Sequence, residues 1–337
     1  MMNDEELMME ETDFTVENAN APEQEHYELV VPPEFAGERL DIVITRLIGD
    51  ISRVRAQNFI KQGHTLVNGQ VSLLPRFYMA EGDKIVIDTP AQVIPVRAEA
   101  ENIPLDVLYK DDAFIVINKP ADMVVHPGVG NHSGTVVNAI LGMDEEMAGT
   151  DFPNPMRPGI VHRLDKDTTG CLCVARTPKT LWKLSRAFAN RDVEKTYLAI
   201  VYGKPLPHAA VIKSNIGRNP GDRQKMMVLR DHDSNGKEAI TSYRTLRQGV
   251  WEGITVSLLQ VRLYTGRTHQ IRVHMSHAGY PLIGDKLYNR GRSCPAPRQM
   301  LHAWQLAFPH PVTGEKMSFE APLPADFRAI IDQLQPV

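Results

Sequence analysis

Beyond residue 103 the chain offers more strands than helices, and successive strands often have no helix between them. Strand patterns fall at 106–109, 113–118, 159–163, 171–175, 197–202, 241–246 and 254–263, and helical spacing at 136–141, 178–190, 267–278 and 324–333. A parallel pair of strands needs a long crossover, usually a helix, while antiparallel neighbours need only a turn. The pattern therefore predicts an α+β chain on a largely antiparallel mixed sheet, not a doubly wound one. Residues 218–237, rich in Gly, Asn, Asp and Arg, predict a long basic hairpin or loop that interrupts it. No repeat of solenoid period is found.

The chain before residue 103 divides by composition. Residues 1–36 are acidic, hold four Met and reach Val31-Pro32-Pro33, which predicts a disordered extension. Residues 37–90 predict a small module. Leu40, Val43, Ile44, Leu47 and Ile48 recur at helical spacing, and Ser52 is placed to cap a second helix that runs to Lys61 and stops at Gly63. Segments 64–67 and 71–74 flank Asn68-Gly69, the preferred two-residue hairpin turn, and 84–88 adds a short strand. The second helix carries Arg53, Arg55 and Lys61. Residues 91–102, with Pro95 and mixed charge, predict a linker to a second domain over 103–337.

Charge is divided as sharply. The net charge of -4 conceals an acidic leader: 12 Asp and Glu and no Lys or Arg precede Arg39, leaving 29 acids against 37 bases, a formal +8, in the remainder. A basic body suits a polyanionic partner, because neutralising phosphates with Lys and Arg supplies most sequence-independent affinity for nucleic acid. With 42% hydrophobic and 23% charged residues the composition is that of a soluble globular protein. Apolar runs such as 114–117 and 255–259 are far shorter than the roughly 20 residues of a membrane span. The Met1 end lacks a basic-then-apolar secretory pattern, so the cytoplasm is the expected location. Cys171, Cys173 and Cys294 are odd in number, and the first two share one face of an apolar strand pattern, which predicts buried free thiols and no disulfide framework.

His162-Arg163-Leu164-Asp165-Lys166-Asp167-Thr168-Thr169-Gly170 packs bases, acids and a turn-forming tail into one short segment beside apolar sequence. Positive neighbours favour the carboxylate form of an Asp, which suits a nucleophile or a base. Taken alone, the segment also reads as a strand end leaving the core through a solvated turn. Its tail changes the balance. The string resembles the signature of the RluA family of pseudouridine synthases, an HRLD-type motif followed by a Thr/Ser-Gly turn. The resemblance continues upstream at Ile117-Asn118-Lys119-Pro120 and Val125-His126-Pro127-Gly128. Downstream it resumes at Lys195-Thr196-Tyr197, at Gly266-Arg267-Thr268-His269-Gln270-Ile271-Arg272-Val273-His274 and at Pro281-Leu282-Ile283-Gly284-Asp285. It covers nearly all of the chain from about residue 100 onward. The 37–90 module, in turn, resembles a small RNA-binding module first described in a protein of the small ribosomal subunit, ribosomal protein S4.

The resemblance implies the pseudouridine synthase fold: one long bent mixed sheet, flanking helices and a central cleft. It implies that Asp165 is catalytic, that Arg272 pairs with it, and that Tyr197 stacks on the uracil of a flipped-out uridine. Arg163 would fill the space that the base vacates. His162, Lys119, Arg267, Thr268, His269 and Gln270 would meet RNA around the site, and Arg53, Arg55 and Lys61 would meet phosphates from the module. The implied reaction is isomerisation of uridine to pseudouridine in large-subunit ribosomal RNA or a pre-ribosomal particle, within the branch typified by RluD, by a monomer using no cofactor and no metal. A uridine inside folded RNA must leave the stack before its base can react.

Two other readings compete. His162, His269, His274 and His277 invite a metal-dependent RNA hydrolase, although there is no His-Glu-x-x-His, and His269 and His274 are not spaced to align on one helix face. A non-catalytic ribosome-assembly factor would keep only the RNA-binding surface.

Overall fold

Asn68 and Gly69 take left-handed φ values of 49° and 82°, the geometry that lets a two-residue turn follow the twist of the strands it joins. The computed structural model describes residues 26–49, 51, 53–88, 97–128, 130–222, 224–230 and 235–336, without the side chains of Val54 and Arg55. The expected cap at Ser52 lies outside the described residues. The chain divides into two compact units, Met1–Val96 and Arg97–Val337.

In the first unit, α1 (Leu40–Ile48) and α2 (Arg53–Lys61) accompany a sheet of β1 (His26–Val30), β2 (Thr65–Val67), β3 (Gln70–Val71) and β4 (Lys84–Asp88), ordered β1-β4-β2-β3. The Asn68-Gly69 turn joins β2 to β3, setting Val67 opposite Gln70. The disordered extension expected over 1–36 is corrected over its described part, because β1 pairs antiparallel with β4 along its whole length. Tyr27 and Leu29 face Val43, Ile44, Ile85 and Ile87 in the core, and their alternation with outward His26, Glu28 and Val30 was masked by the acidic composition around them.

In the second unit the strands are β5 (Asp106–Lys110), β6 (Phe114–Lys119), β7 (Thr169–Ala175), β8 (Glu194–Tyr202), β9 (Ala209–Arg218), β10 (Met226–Leu229), β11 (Lys237–Trp251), β12 (Ile254–Leu263), β13 (Leu301–Pro309) and β14 (Lys316–Glu320). They form one sheet in the order β10-β9-β11-β12-β8-β13-β7-β6-β5, with β14 on β13. Its pairings are antiparallel except where β13 meets β7, a parallel contact of two residue pairs, His302 with Thr169 and Ala303 with Gly170. Gly170 permits that contact: its φ is +113° and an added Cβ would collide with the Ala303 carbonyl. Beyond the contact β13 bulges and turns to β14, so the sheet divides at its centre.

The central strands are buried on both faces, which explains their nearly continuous apolar runs. Ile115, Ile117, Leu172 and Val174 pack with α3 (Val136–Met143), while Phe114, Val116, Cys171 and Cys173 pack with Leu184 of α5 (Pro178–Ala189). The short α4 (Glu145–Ala148) follows α3. Farther along, Leu198 and Ile200 meet Phe327 and Ile330 of α7 (Ala325–Asp332). The three cysteines are free, and burial pushes the Cys171 thiol up to about 12.

Residues 159–163 do not form the expected strand. Only Ile160 bridges to Val174, and where the next rung would lie, the His162 ring takes the Cys173 N–H at 2.9 Å. Three strands of this sheet escaped the sequence pattern: β9, half-exposed and carrying Lys213, Ser214 and Asn215, β13, whose alternation breaks at its bulge, and the short β14; β10 lies within the stretch expected as a hairpin or loop.

Candidate active site

Asp165 sits in the loop that enters β7 at the division of the sheet. Leu164 is buried beside it, and the Thr168 N–H donates to the Asp165 carbonyl at 3.0 Å, closing the turn. Two cations fasten the next carbonyls. Lys119, at the end of β6, is fully buried and donates to the carbonyls of Pro120, Met123 and Lys166 at 2.6, 2.8 and 2.8 Å. Arg298 donates to the Asp167 carbonyl at 2.9 Å while its fork grips Asp326 at 2.8 and 2.9 Å. Burial pushes the Lys119 ammonium down to about 7, against the pull of Asp167 and Asp165. Its three carbonyl acceptors favour the charged form, since only the ammonium has three N–H groups to give.

The carboxylate is oriented from α6 (Gln270–His277). Arg272 donates through Nη1 to Asp165 at 2.9 Å, and through Nε and Nη2 to Asp285 at 2.7 and 3.0 Å. One guanidinium thus joins an accessible carboxylate to a buried one, and its plane fixes the angle between them. Asp285 is fully buried and also accepts the N–H groups of Leu287 and Tyr288. Burial opposes the charge on Arg272, but hydrogen bonding to Asp285 and the charge of Asp165 hold it protonated above its ordinary range. Tyr288 lies 5.1 Å from the guanidinium and bonds His269 Nδ1 at 2.9 Å. His269 Nε2 is 3.9 Å from Asp165, with its backbone left-handed at φ 55° to start the helix. Burial lowers the His269 pKa, favouring the neutral ring. Tyr197 of β8 is buried, and burial followed by the negative charge of Asp165 raises its phenol, so it stands protonated.

Three residues expected at the RNA face point inward instead. Lys119 braces the loop as described. His162 accepts the Cys173 N–H of β7 at Nε2, stacks on Phe188 at 4.6 Å and is pushed down to about 3 by burial and by Lys195. Gln270 accepts from Thr265 and Arg267 and donates to Ile240 and Thr241, pinning the loop before α6. Arg163 and Thr268 are exposed, and Arg267 reaches the Glu238 carbonyl at 3.1 Å. In the smaller unit Arg53 bonds the buried Asp41 at 2.9 Å, and Lys61 is exposed; the Arg55 side chain lies outside the described residues. Among the described residues no group of three or more His, Cys, Asp or Glu is arranged to hold a metal ion. His274 is instead fully buried between Ser214 and Thr241.

Residues 38–85 match the S4 domain family and residues 113–277 the RNA pseudouridylate synthase family. An RNA pseudouridine synthase of Synechocystis sp. is 43% identical over 302 residues, 89% of this chain and 90% of the relative. The chain belongs to the RNA pseudouridine synthase family. The synthase is also 40% identical to the ribosomal large subunit pseudouridine synthase D of Xanthomonas campestris, over 91% of this chain and 92% of the relative. Among solved structures, human RNA pseudouridylate synthase domain containing 1 matches 71% of the synthase and 91% of its own chain at 29% identity, with a TM-score of 0.57. The fold implied by the sequence motifs is therefore the fold the synthase has. No helix among its described residues is long and apolar enough to cross a membrane.

Three residues of the synthase site were not singled out from sequence. Asp285 stood in a quoted motif, but nothing local tied it to Arg272; Tyr288 and Arg298 carried no signal. The brace around the loop makes a prediction. Lys119→Met leaves three carbonyls without their donor, at about 1–3 kcal/mol for each unsatisfied group, offset in part because no charge is buried. The variant is expected to melt earlier, exchange the Thr168 amide faster and lose roughly tenfold in single-turnover rate. An unchanged amide exchange rate would show that Lys119 does not hold the loop.

Proposed function

We propose that the synthase isomerises uridine to pseudouridine in large-subunit ribosomal RNA, with Asp165 as the catalytic carboxylate. The observation that carries this reading is the placement of Asp165 on a braced loop, oriented by an arginine that a second, buried carboxylate holds in turn. The names of its relatives supply the large-subunit target. The reaction breaks the bond from N1 to C1', turns the freed uracil and joins C5 to C1', with no net hydrolysis and no redox step. Asp165 either attacks carbon or removes a proton; proton removal from C2', giving a glycal, is the route favoured here. The Arg272 guanidinium aims the carboxylate, the Tyr197 ring stacks on the uracil, and exposed Arg163 occupies the gap the base leaves in the RNA stack. A cytoplasmic monomer acting on ribosomal RNA or a pre-ribosomal particle fits this reading.

Mapping pseudouridine in ribosomal RNA from cells with and without the protein tests it. One or more large-subunit sites should vanish in its absence and return with purified protein and transcript. Strand cleavage abolished by a chelator would replace this reading with the hydrolase. Tyr197→Phe keeps the ring and loses the hydroxyl, so RNA binding should persist while a late proton transfer slows by roughly 10²-fold. Wild-type single-turnover rates in that variant would reduce Tyr197 to a stacking surface.

A further inference from the structure

Lys195 precedes Tyr197 by two positions on β8, so the side chains share one face of the strand at a spacing of about 7 Å. It is nine-tenths buried, yet its ammonium makes no hydrogen bond or ion pair with any described residue. Its ammonium instead lies 5.7 Å from the centre of the Phe188 ring. Among the described residues, the charges that act on it most are those of Arg191 and Arg267, both positive. Among the described residues, Glu238, the carboxylate that pairs with Arg191 at 3.3 Å, is also held by Lys213 at 3.0 Å. Space over the ammonium is kept by exposed Gly266: a Cβ added there would meet nothing nearer than Lys195 Nζ at 3.9 Å. Lysine is almost never buried without a partner, and the two neighbouring arginines add their own positive charge to the place where that partner would sit.

We propose that Lys195, with Arg267 and Arg191 at its rim, forms a subsite for one backbone phosphate of RNA adjacent to the target uridine. The proposal rests on the reading that the synthase acts on RNA. A base stacked on Tyr197 carries its own phosphates at about the distance that separates the two side chains, so one nucleotide can meet both. Burial and the two arginines push the Lys195 ammonium down to about 8, a shift that a bound phosphate would reverse. The exposed Gly266 side admits a phosphodiester, whereas a metal ion would be repelled.

Binding is measured by filter retention with a ribosomal RNA fragment, independently of turnover. The fragment is made unmodified and with a neutral methylphosphonate at each phosphate flanking the candidate uridine. Lys195→Met and Lys195→Gln should each weaken binding by about 10–100-fold, and one methylphosphonate should weaken the wild type by a similar factor. That methylphosphonate should leave the variants no weaker than they already are, and Lys195→Arg should recover most of the affinity. Wild-type affinity in the variants would overturn the subsite. So would wild-type indifference to every methylphosphonate, a result that decides the matter even if the variants do not fold. Inorganic phosphate competing as well as the RNA strand would reduce the site to a free-anion pocket and overturn the assignment to RNA. Failure of the wild type to form pseudouridine would count against the proposed function alone, since the subsite is read from binding.

Discussion

Asp165→Asn is expected to abolish pseudouridine formation, with single-turnover rates down by about 10⁴-fold or more, the scale seen when an enzyme's essential carboxylate becomes an amide. The amide keeps the shape of the side chain, and its oxygen can still accept from Arg272. It has neither the charge to attack carbon nor the basicity to remove a proton. Asp165 is partly open to solvent, so stability should change by no more than about 1 kcal/mol, and RNA affinity should stay near that of the wild type. Those two controls separate lost chemistry from lost folding. Turnover by the Asn variant would remove Asp165 from its role and, with it, the proposed mechanism.

Arg272→Ala is expected to fail more broadly. The guanidinium serves two carboxylates, and Asp285 on its far side is fully buried. Deleting it leaves an uncompensated buried charge, a loss on the order of 3–5 kcal/mol in unfolding free energy. Asp165 also loses the donor that orients it, so the single-turnover rate should fall as well, by roughly 10²-fold. Arg272→Lys keeps one charge without the fork and should recover stability better than rate. Denaturant unfolding and single-turnover profiles on the same preparations check both parts. Wild-type single-turnover rates would refute the pairing as a catalytic device, and wild-type stability would show that Asp285 has another partner.

Much of the molecule was legible because its signals are local. The Asn68-Gly69 turn lies between the strands it was expected to join, β12 covers the expected 254–263, and α3, α5 and α7 fall where helical spacing placed them. Strands in succession without helices foretold an antiparallel sheet, which it is apart from the short contact of β7 with β13. These features depend on residues a few positions apart, where periodicity, caps and turn chemistry act.

Other features required the folded chain. The bond from Arg272 to Asp165 spans 107 residues of sequence, Lys119 reaches a carbonyl 47 residues away and Arg298 one 131 residues away. Nothing near Lys119, His162 or Gln270 in the chain says that they turn inward to hold backbone, because a polar side chain reads the same whether it meets carbonyls or a phosphate. Composition alone gave β1 no signal inside its acidic leader, and it became a strand because β4 offered a ladder and the core offered places for Tyr27 and Leu29. Local chemistry set which elements form and which carboxylate is the candidate; long-range packing decided which charges surround that carboxylate and which cation was left without a partner, because those depend on distances that only the closed sheet defines.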